Sequence, residues 1–70
     1  MFSKRLKKLR IEKGNTQKEI ANYLGLTFYG YRKYEYGHSK PTFDSLIALA
    51  NYFNVSLDYL VGLSDIKERR

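Results

Sequence analysis

The sequence contains no cysteine, so it has neither a disulfide framework nor a thiolate metal site. No apolar run reaches about 18 residues, the length that a membrane-spanning helix needs. The N-terminus is charged but lacks the apolar stretch of a signal peptide. We therefore expect a soluble, cytoplasmic protein. At 70 residues it forms a single domain whose fold depends on efficient apolar packing or on dimerisation.

The residue patterns of catalytic sites are also missing. His38 is the only histidine, and its Gly-His-Ser-Lys surroundings are typical of a solvated side chain. Asp44 and Asp58 fall in different segments, so no paired carboxylates share a helix face. The five glycines are scattered and form no phosphate-binding loop, and no nucleophile has a base nearby. We expect neither an enzyme nor a protein that needs a cofactor or a metal.

Positive charge is concentrated at the N-terminal end of the chain. Thirteen Lys and Arg residues against seven Asp and Glu residues give a net charge of +6. Residues 1–13 hold six basic residues and one acidic residue, whereas residues 41–64 hold two acidic residues and no basic one. A small domain with one cationic end suits a polyanionic partner, which is either nucleic acid or an anionic membrane surface.

Turn and capping signals divide the chain into five short helical segments, and no stretch alternates like a β-strand. The segments cover about residues 2–13, 17–24, 28–36, 43–53 and 57–61. Each of the last four follows a good N-cap residue, namely Thr16, Thr27, Thr42 and Ser56. Gly14, Gly25, Gly37, Asn54 and Gly62 supply left-handed stops. The pattern predicts an all-α fold.

The spacing of apolar residues predicts which side of each segment faces the core. The inward residues are expected to be Phe2, Leu6, Leu9, Ile20, Ala21, Leu24, Tyr31, Tyr34, Leu46, Leu49, Ala50, Phe53, Leu57 and Leu60. Phe28, Tyr29 and Tyr36 cannot all join them, so at least two of these three should be exposed. Interleaved with Arg32 and Lys33, exposed rings could also form a stacking platform for single-stranded nucleic acid.

The second and third segments are joined by only three residues, Gly25-Leu26-Thr27. So short a connection packs two helices crosswise, and the small Ala21 and Gly25 permit a close crossing. This is the arrangement of a DNA-reading helix-turn-helix.

The sequence resembles the lambda-repressor-like, or Cro/XRE-type, helix-turn-helix proteins over about residues 2–63. The matching residues are Arg5-Leu6-Lys7-Lys8-Leu9-Arg10, Gly14, Thr16-Gln17-Lys18-Glu19-Ile20-Ala21, Leu24-Gly25-Leu26-Thr27, Tyr34-Glu35-Tyr36-Gly37, Lys40-Pro41-Thr42, Leu46, Leu49-Ala50, Phe53 and Val55-Ser56-Leu57-Asp58-Tyr59-Leu60. The resemblance implies a compact five-helix bundle over residues 1–64, with the helix-turn-helix at 17–36. Residues 65–70 would be a charged tail or the start of a linker.

The resemblance also implies which residues contact DNA. Gln17 matches the position that grips a backbone phosphate, and the unpaired amides of a helix N-terminus favour such an anion. Further backbone contacts are assigned to Thr27, Tyr36, His38 and Lys40. The base-reading candidates in the third segment are Phe28, Tyr29, Arg32 and Lys33. Phe28 and Tyr29 replace amides that commonly read adenine, so the operator sequence cannot be inferred.

Arg10 and Glu35 match a pair that ties the first helix to the third, the alternative being two solvated surface charges. Tyr31 departs from the family pattern, which usually buries isoleucine or valine at this position.

The resemblance implies a homodimer on a palindromic operator. Once the inward faces of the last two segments are filled, Tyr52, Tyr59, Val61 and Leu63 are left over as a candidate dimer interface. The alternative is that they cover the core of a monomer or contact a further domain.

Function follows from these interpretations. We predict a transcriptional regulator, specifically a repressor, that binds double-stranded DNA and no small-molecule ligand. The second hypothesis is an antitoxin-type or protein-interaction module in which partner-protein binding is primary. A membrane-surface helix at residues 2–13 is the weakest interpretation, because Phe2, Leu6 and Leu9 are needed for the core.

Overall fold

Five α-helices make up the computed structural model, which describes residues 1–69. The helices are α1 (Phe2–Lys13), α2 (Gln17–Leu24), α3 (Phe28–Tyr36), α4 (Phe43–Phe53) and α5 (Leu57–Val61). No strand occurs within these residues, and the all-α class and the five predicted segments are confirmed. α1, the longest helix, has 12 residues, and no helix in this part of the chain is both long and apolar enough to cross a membrane.

The helix ends follow the capping signals of the sequence. Thr16 Oγ1 accepts a hydrogen bond from the Glu19 amide at 3.1 Å, and the Thr16 amide donates to Glu19 Oε1 at 2.7 Å. This is a complete capping box. Thr27, Thr42 and Ser56 cap the next three helices through their hydroxyl groups alone, each accepting from one backbone amide. Asn54 ends α4 with φ 54°, a left-handed conformation that asparagine tolerates better than most residues.

One apolar core lies between the helices. Its buried members are Leu6, Leu9, Ile20, Ala21, Tyr31, Tyr34, Leu49, Ala50, Val55, Tyr59 and Leu60. Phe2, Leu24, Leu46 and Phe53 are partly buried against it, as their helical spacing predicts. The core therefore draws on every helix, and both tyrosines expected to be buried in α3 belong to it.

The expected orientation of α5 is wrong at two residues, Leu57 and Tyr59. Leu57 is 38% exposed, whereas Tyr59, which was expected near the surface, is only 4% exposed. The physical reason is a contact with α1: the Arg5 guanidinium carbon lies 4.1 Å from the centre of the Tyr59 ring. Arg5 Nη1 also donates to the Tyr59 carbonyl at 3.0 Å, which fixes α5 against α1.

Residues 64–67 lie against the helices and are bound to them. The Ser56 amide donates to the Lys67 carbonyl at 2.9 Å, and Ser56 Oγ donates to the Ile66 carbonyl at 3.1 Å. Arg5 donates to the Ser64 carbonyl at 2.8 Å and pairs with Asp65 at 2.7 Å. Residues 65–67, which belong to the 65–70 segment expected to be a charged tail or the start of a linker, thus contact α1 and the cap of α5.

Candidate nucleic-acid interface

The turn between α2 and α3 is fixed by backbone hydrogen bonds. Gly25 ends α2 with φ 70°, and a side chain there would be strained in this left-handed conformation. The Leu26 amide then donates to the Ala21 carbonyl at 2.9 Å. Thr27 starts α3 at once by accepting from the Gly30 amide at 3.0 Å. These bonds hold α3 in a defined direction across α2.

One side of α3 is free of the core and carries aromatic and basic side chains. Tyr29 is 72% exposed and Tyr36 is 53% exposed, and Lys33 is exposed as well. Phe28 and Arg32 on the same helix are half-buried. The expectation that at least two of the three extra aromatic residues are exposed is therefore confirmed. All four base-reading candidates lie on this helix outside the core.

Arg32 is held between two rings. Its guanidinium carbon lies 5.2 Å from the centre of the Phe28 ring and 5.0 Å from that of Tyr36. Arg32 Nε donates to Tyr36 Oη at 3.2 Å, and Nη2 donates to the same oxygen. The sequence interpretation treated these three residues separately. Their spacing of four residues was the signal that could have predicted the contact.

Gln17 begins α2, as the sequence predicts, but its side chain already has a partner within the protein. Gln17 Nε2 donates to Glu35 Oε1 at 3.0 Å. Gln17 as a whole is half-buried. Of the other backbone-contact candidates, Thr27, Tyr36, His38 and Lys40 are exposed. The Thr27 hydroxyl serves as the cap of α3, and the Tyr36 hydroxyl accepts from Arg32.

Phe43 was not among the candidates, although it follows the loop that contains His38 and Lys40. It is the first residue of α4 and is 73% exposed. The sequence signal was a large aromatic residue directly after the N-cap Thr42.

A buried carboxylate joins α1, α2 and α3. The Glu35 side chain is only 1% exposed, and Arg10 contacts both of its oxygens, with Nε 2.6 Å from Oε2 and Nη2 3.2 Å from Oε1. The Tyr31 hydroxyl donates to Oε2, and Gln17 donates to Oε1. Arg10 also donates to the Asn15 carbonyl at 3.1 Å. The predicted Arg10–Glu35 pair is present, with two partners that the sequence interpretation missed.

Within this cluster the pKa of Glu35 is lowered and that of Tyr31 is raised, so Glu35 is charged and Tyr31 is neutral near pH 7. Burial raises the pKa of the Glu35 carboxyl, but hydrogen bonds from Arg10, Tyr31 and Gln17 outweigh it, so the net pKa lies below the ordinary value. Burial and the neighbouring Glu35 carboxylate raise the pKa of Tyr31 far above its usual range. The hydrogen bond to Glu35 raises the pKa of Arg10. Tyr31 thus remains a donor.

The candidate dimer residues occupy different surroundings. Leu63 is 80% exposed, and Val61 and Tyr52 are half-buried. The ring of Tyr52 lies 4.5 Å from that of Tyr23. Tyr59 is buried by Arg5, so its placement on an outer surface is corrected, and it covers the core as the alternative interpretation expected.

Within residues 1–69, no group of His, Asp or Glu side chains is arranged to hold a metal ion. His38 is exposed, with its ring 6.1 Å from that of Tyr36.

Comparison with known proteins shows that the chain is similar to HTH-type transcriptional regulators. A helix-turn-helix family model matches residues 6–60. The chain is 46% identical over 61 residues to the SPbeta prophage-derived HTH-type transcriptional regulator YonR of Bacillus subtilis, covering 87% of this chain and 56% of YonR. It is 39% identical over 68 residues to ImmR of the same bacterium, another HTH-type transcriptional regulator, covering 97% of this chain and 54% of ImmR.

A repressor and a crystal structure extend this comparison. The cryptic phage CTXphi transcriptional repressor RstR of Vibrio cholerae is 34% identical over 65 residues, covering 93% of this chain and 59% of RstR. A transcriptional regulator from Listeria innocua superimposes with a TM-score of 0.85 at 37% identity, covering 89% of this chain and 58% of that one. The chain therefore spans about half the length of the curated relatives it matches.

Proposed function

Since the chain belongs to the helix-turn-helix family of Cro/XRE-type transcriptional regulators, we propose that it binds specific sequences in double-stranded DNA and represses transcription. The family consists of regulators rather than enzymes, which confirms the prediction that the chain is no enzyme. One observation carries the proposal: α3 exposes aromatic and basic side chains on one side, while Glu35 anchors its other side to α1 and α2. The major groove is wide enough to admit such a helix.

Phosphate neutralisation would supply most of the non-specific affinity. Arg5 and Arg10 are engaged within the protein, so fewer cations of α1 are available to DNA than the sequence suggests. The exposed cations of residues 1–40 are Lys4, Lys7, Lys8, Lys13, Lys18, Lys33 and Lys40. Each phosphate that they neutralise adds about 0.9 to the slope of log K against log salt. Affinity that does not change with salt would contradict this electrostatic contribution.

Gln17 would link the buried cluster to the DNA backbone. One amide hydrogen donates to Glu35, which leaves the second hydrogen for a phosphate at the N-terminus of α2. Because phosphate contacts carry no base information, Gln17→Ala should weaken binding to all duplexes about equally. A changed sequence preference in this variant would mean that Gln17 lies against a base.

The proposed functional unit is a homodimer on a palindromic operator. Its axis would lie near Leu63, whose apolar side chain is the most exposed of the large ones, with the half-buried Val61 two residues before it. The other candidate, Tyr52, is half-buried on α4. Half-sites would then be separated by about 34–36 Å, one helical turn. Sedimentation with operator should show two protein copies per duplex, and Leu63→Glu should reduce this to one. Ile11→Glu, also an exposed apolar position, is the matched control.

The decisive experiment for this function is selection of bound duplexes from a random pool, followed by sequencing. Sequence-specific binding predicts an enriched motif with two related half-sites. Capture of partners from a cell lysate, with and without nuclease, tests the alternative that the chain is an antitoxin-type or protein-interaction module. A protein partner that persists after nuclease treatment, with no enriched motif, would favour the antitoxin-type interpretation over the repressor.

A further inference from the structure

We propose that Arg32 reads a guanine in the major groove and that Phe28 and Tyr36 are positioning residues that hold its guanidinium for this contact. The inference rests on the proposed DNA binding and names the base that one residue recognises. It also gives Tyr36 a role other than a phosphate contact.

The three residues form one stack along α3. They are spaced four apart, so their side chains follow each other along one side of the helix. The guanidinium lies 5.2 Å from the ring centre of Phe28 and 5.0 Å from that of Tyr36, both within the range of a cation–π contact. Phe28 is itself supported by an edge contact with Tyr29 at 5.6 Å.

The hydrogen bonds within the stack determine which edge of the guanidinium is available. Nε and Nη2 both donate to Tyr36 Oη, so the edge that joins these two nitrogens is occupied. The other edge, which carries one hydrogen on Nη1 and the second hydrogen on Nη2, has no acceptor among residues 1–69. Two parallel N–H groups on one edge match guanine O6 and N7, which are the acceptors of the commonest specific arginine contact.

Arg32 differs from Arg5 and Arg10 in that no carboxylate pairs with it, and Arg69 likewise donates only to a neutral acceptor within residues 1–69. Arg5 pairs with Asp65, Arg10 pairs with Glu35, and Arg69 donates to the Asn51 side chain at 2.6 Å. Arg32 contacts no carboxylate within residues 1–69, and its acceptor is a neutral phenol. The guanidinium is therefore held in place without a neutralising carboxylate. Its positive charge remains available for a contact with a further acceptor, such as guanine.

The stack also lowers the cost of ordering the arginine. A long side chain loses rotamer freedom when it binds, and a side chain already held between two rings loses less. Because Arg32 is the fifth of nine residues in α3, it lies away from the helix ends and loops that usually contact phosphates.

The first test selects duplexes from a random pool with the wild type and with Arg32→Met, Tyr36→Phe and Tyr36→Leu. The wild type should enrich a guanine at one position of each half-site. Arg32→Met should lower the preference for that guanine by about 5-fold to about 150-fold, the range of a lost bidentate contact. Tyr36→Phe keeps the ring but loses the acceptor, and should lower it by about 2-fold to about 10-fold. For Tyr36→Leu, the loss of guanine preference should lie between those of Tyr36→Phe and Arg32→Met.

The second test places 7-deazaguanine at the selected position, which removes N7 but keeps the base pair. Wild-type affinity should fall, whereas Arg32→Met should bind the guanine and 7-deazaguanine duplexes equally. Tyr23→Phe is the matched control for loss of a hydroxyl, since Tyr23 lies on α2 and its hydroxyl donates to the Ala48 carbonyl at 3.2 Å. This control should retain the wild-type difference between the two duplexes.

Several results would overturn the inference while leaving the proposed function intact. In one, the wild type enriches a motif whose guanine preference survives in Arg32→Met but disappears in Lys33→Met. In another, Arg32→Met still binds the 7-deazaguanine duplex less tightly than the guanine duplex. In a third, Arg32→Met lowers the affinity for all duplexes equally, as loss of a phosphate contact would. A Tyr36→Leu variant with the wild-type preference would remove the positioning role. If the wild type enriches no motif, the proposed function fails together with the inference.

Discussion

The two sides of α3 both join an arginine to a tyrosine, but in opposite surroundings. On the buried side, Arg10 and Tyr31 converge on the Glu35 carboxylate, whose side chain is 1% exposed. On the exposed side, Arg32 and Tyr36 contact each other with no carboxylate between them. Because a charge taken out of water must be compensated within the protein, the buried group fixes the fold. Because water screens the exposed group, its charge can serve an external partner.

The largest expected effect comes from Arg10→Met, which leaves the Glu35 carboxylate buried without its cation. The loss should be about 3–5 kcal/mol of unfolding free energy, against under about 1 kcal/mol for an exposed pair. Thermal melts followed by circular dichroism measure this as a fall in Tm of about 12 °C or more.

The double variant Arg10→Met with Glu35→Gln is the control for this prediction. It should recover part of the loss, because no unpaired carboxylate remains. If Arg10→Met melted like the wild type, Glu35 would be solvated, and the distinction between the two sides of α3 would fail.

The second prediction compares the loss of stability when the hydroxyl group of Tyr31 or of Tyr36 is removed. Tyr31→Phe removes a buried donor to Glu35 and should cost about 1–3 kcal/mol. Tyr36→Phe makes the same chemical change on the exposed side and should cost less than about 0.5 kcal/mol. Urea unfolding of the two variants, compared at equal m-values, measures the difference. Equal losses would mean that burial does not distinguish these hydroxyl groups.

The third effect is a loss of stability in acid that depends on Glu35. The pKa of its carboxyl is lowered from the ordinary 4.5 on folding, so the unfolded state binds the proton more readily. The stabilisation should be complete above the unfolded pKa and should disappear as pH falls through the folded pKa. We expect this loss of stability to be smaller than that of Arg10→Met or Tyr31→Phe, because a protonated Glu35 keeps oxygens that accept hydrogen bonds. Unfolding of Glu35→Gln across the acid range should lack this part of the pH dependence; a curve parallel to the wild type would contradict it.

The last prediction is a small loss of stability for Arg32→Ala. Its contacts are with the two rings of the exposed side, so the loss of stability should stay under about 1 kcal/mol. Thermal melts should show a Tm close to that of the wild type even though DNA recognition is altered. A loss as large as that of Arg10→Met would assign Arg32 to the fold rather than to the interface.

Much of the fold could be predicted because its signals are local. Thr16 and Glu19 form their capping box within four residues, and Gly25 ends α2 because of its own backbone conformation. The candidate site was less predictable. Gln17 and Glu35 are 18 residues apart, and their contact depends on how α2 crosses α3. The stack of Phe28, Arg32 and Tyr36 was within reach, since all three lie on one helix.

Where each helix begins and ends, and which two helices form the turn, could be predicted from the amino-acid pattern, because caps and left-handed stops act over a few neighbouring residues. Which side chains of α5 are buried depends instead on contacts between helices. Tyr59 is turned inward by Arg5, 54 residues away in the chain, and Leu57 is left exposed. The same packing engages Arg5 and Arg10 within the protein and leaves Arg32 uncompensated. A residue's charge can be read from the sequence, but its partner is set by helices that meet only in the folded chain.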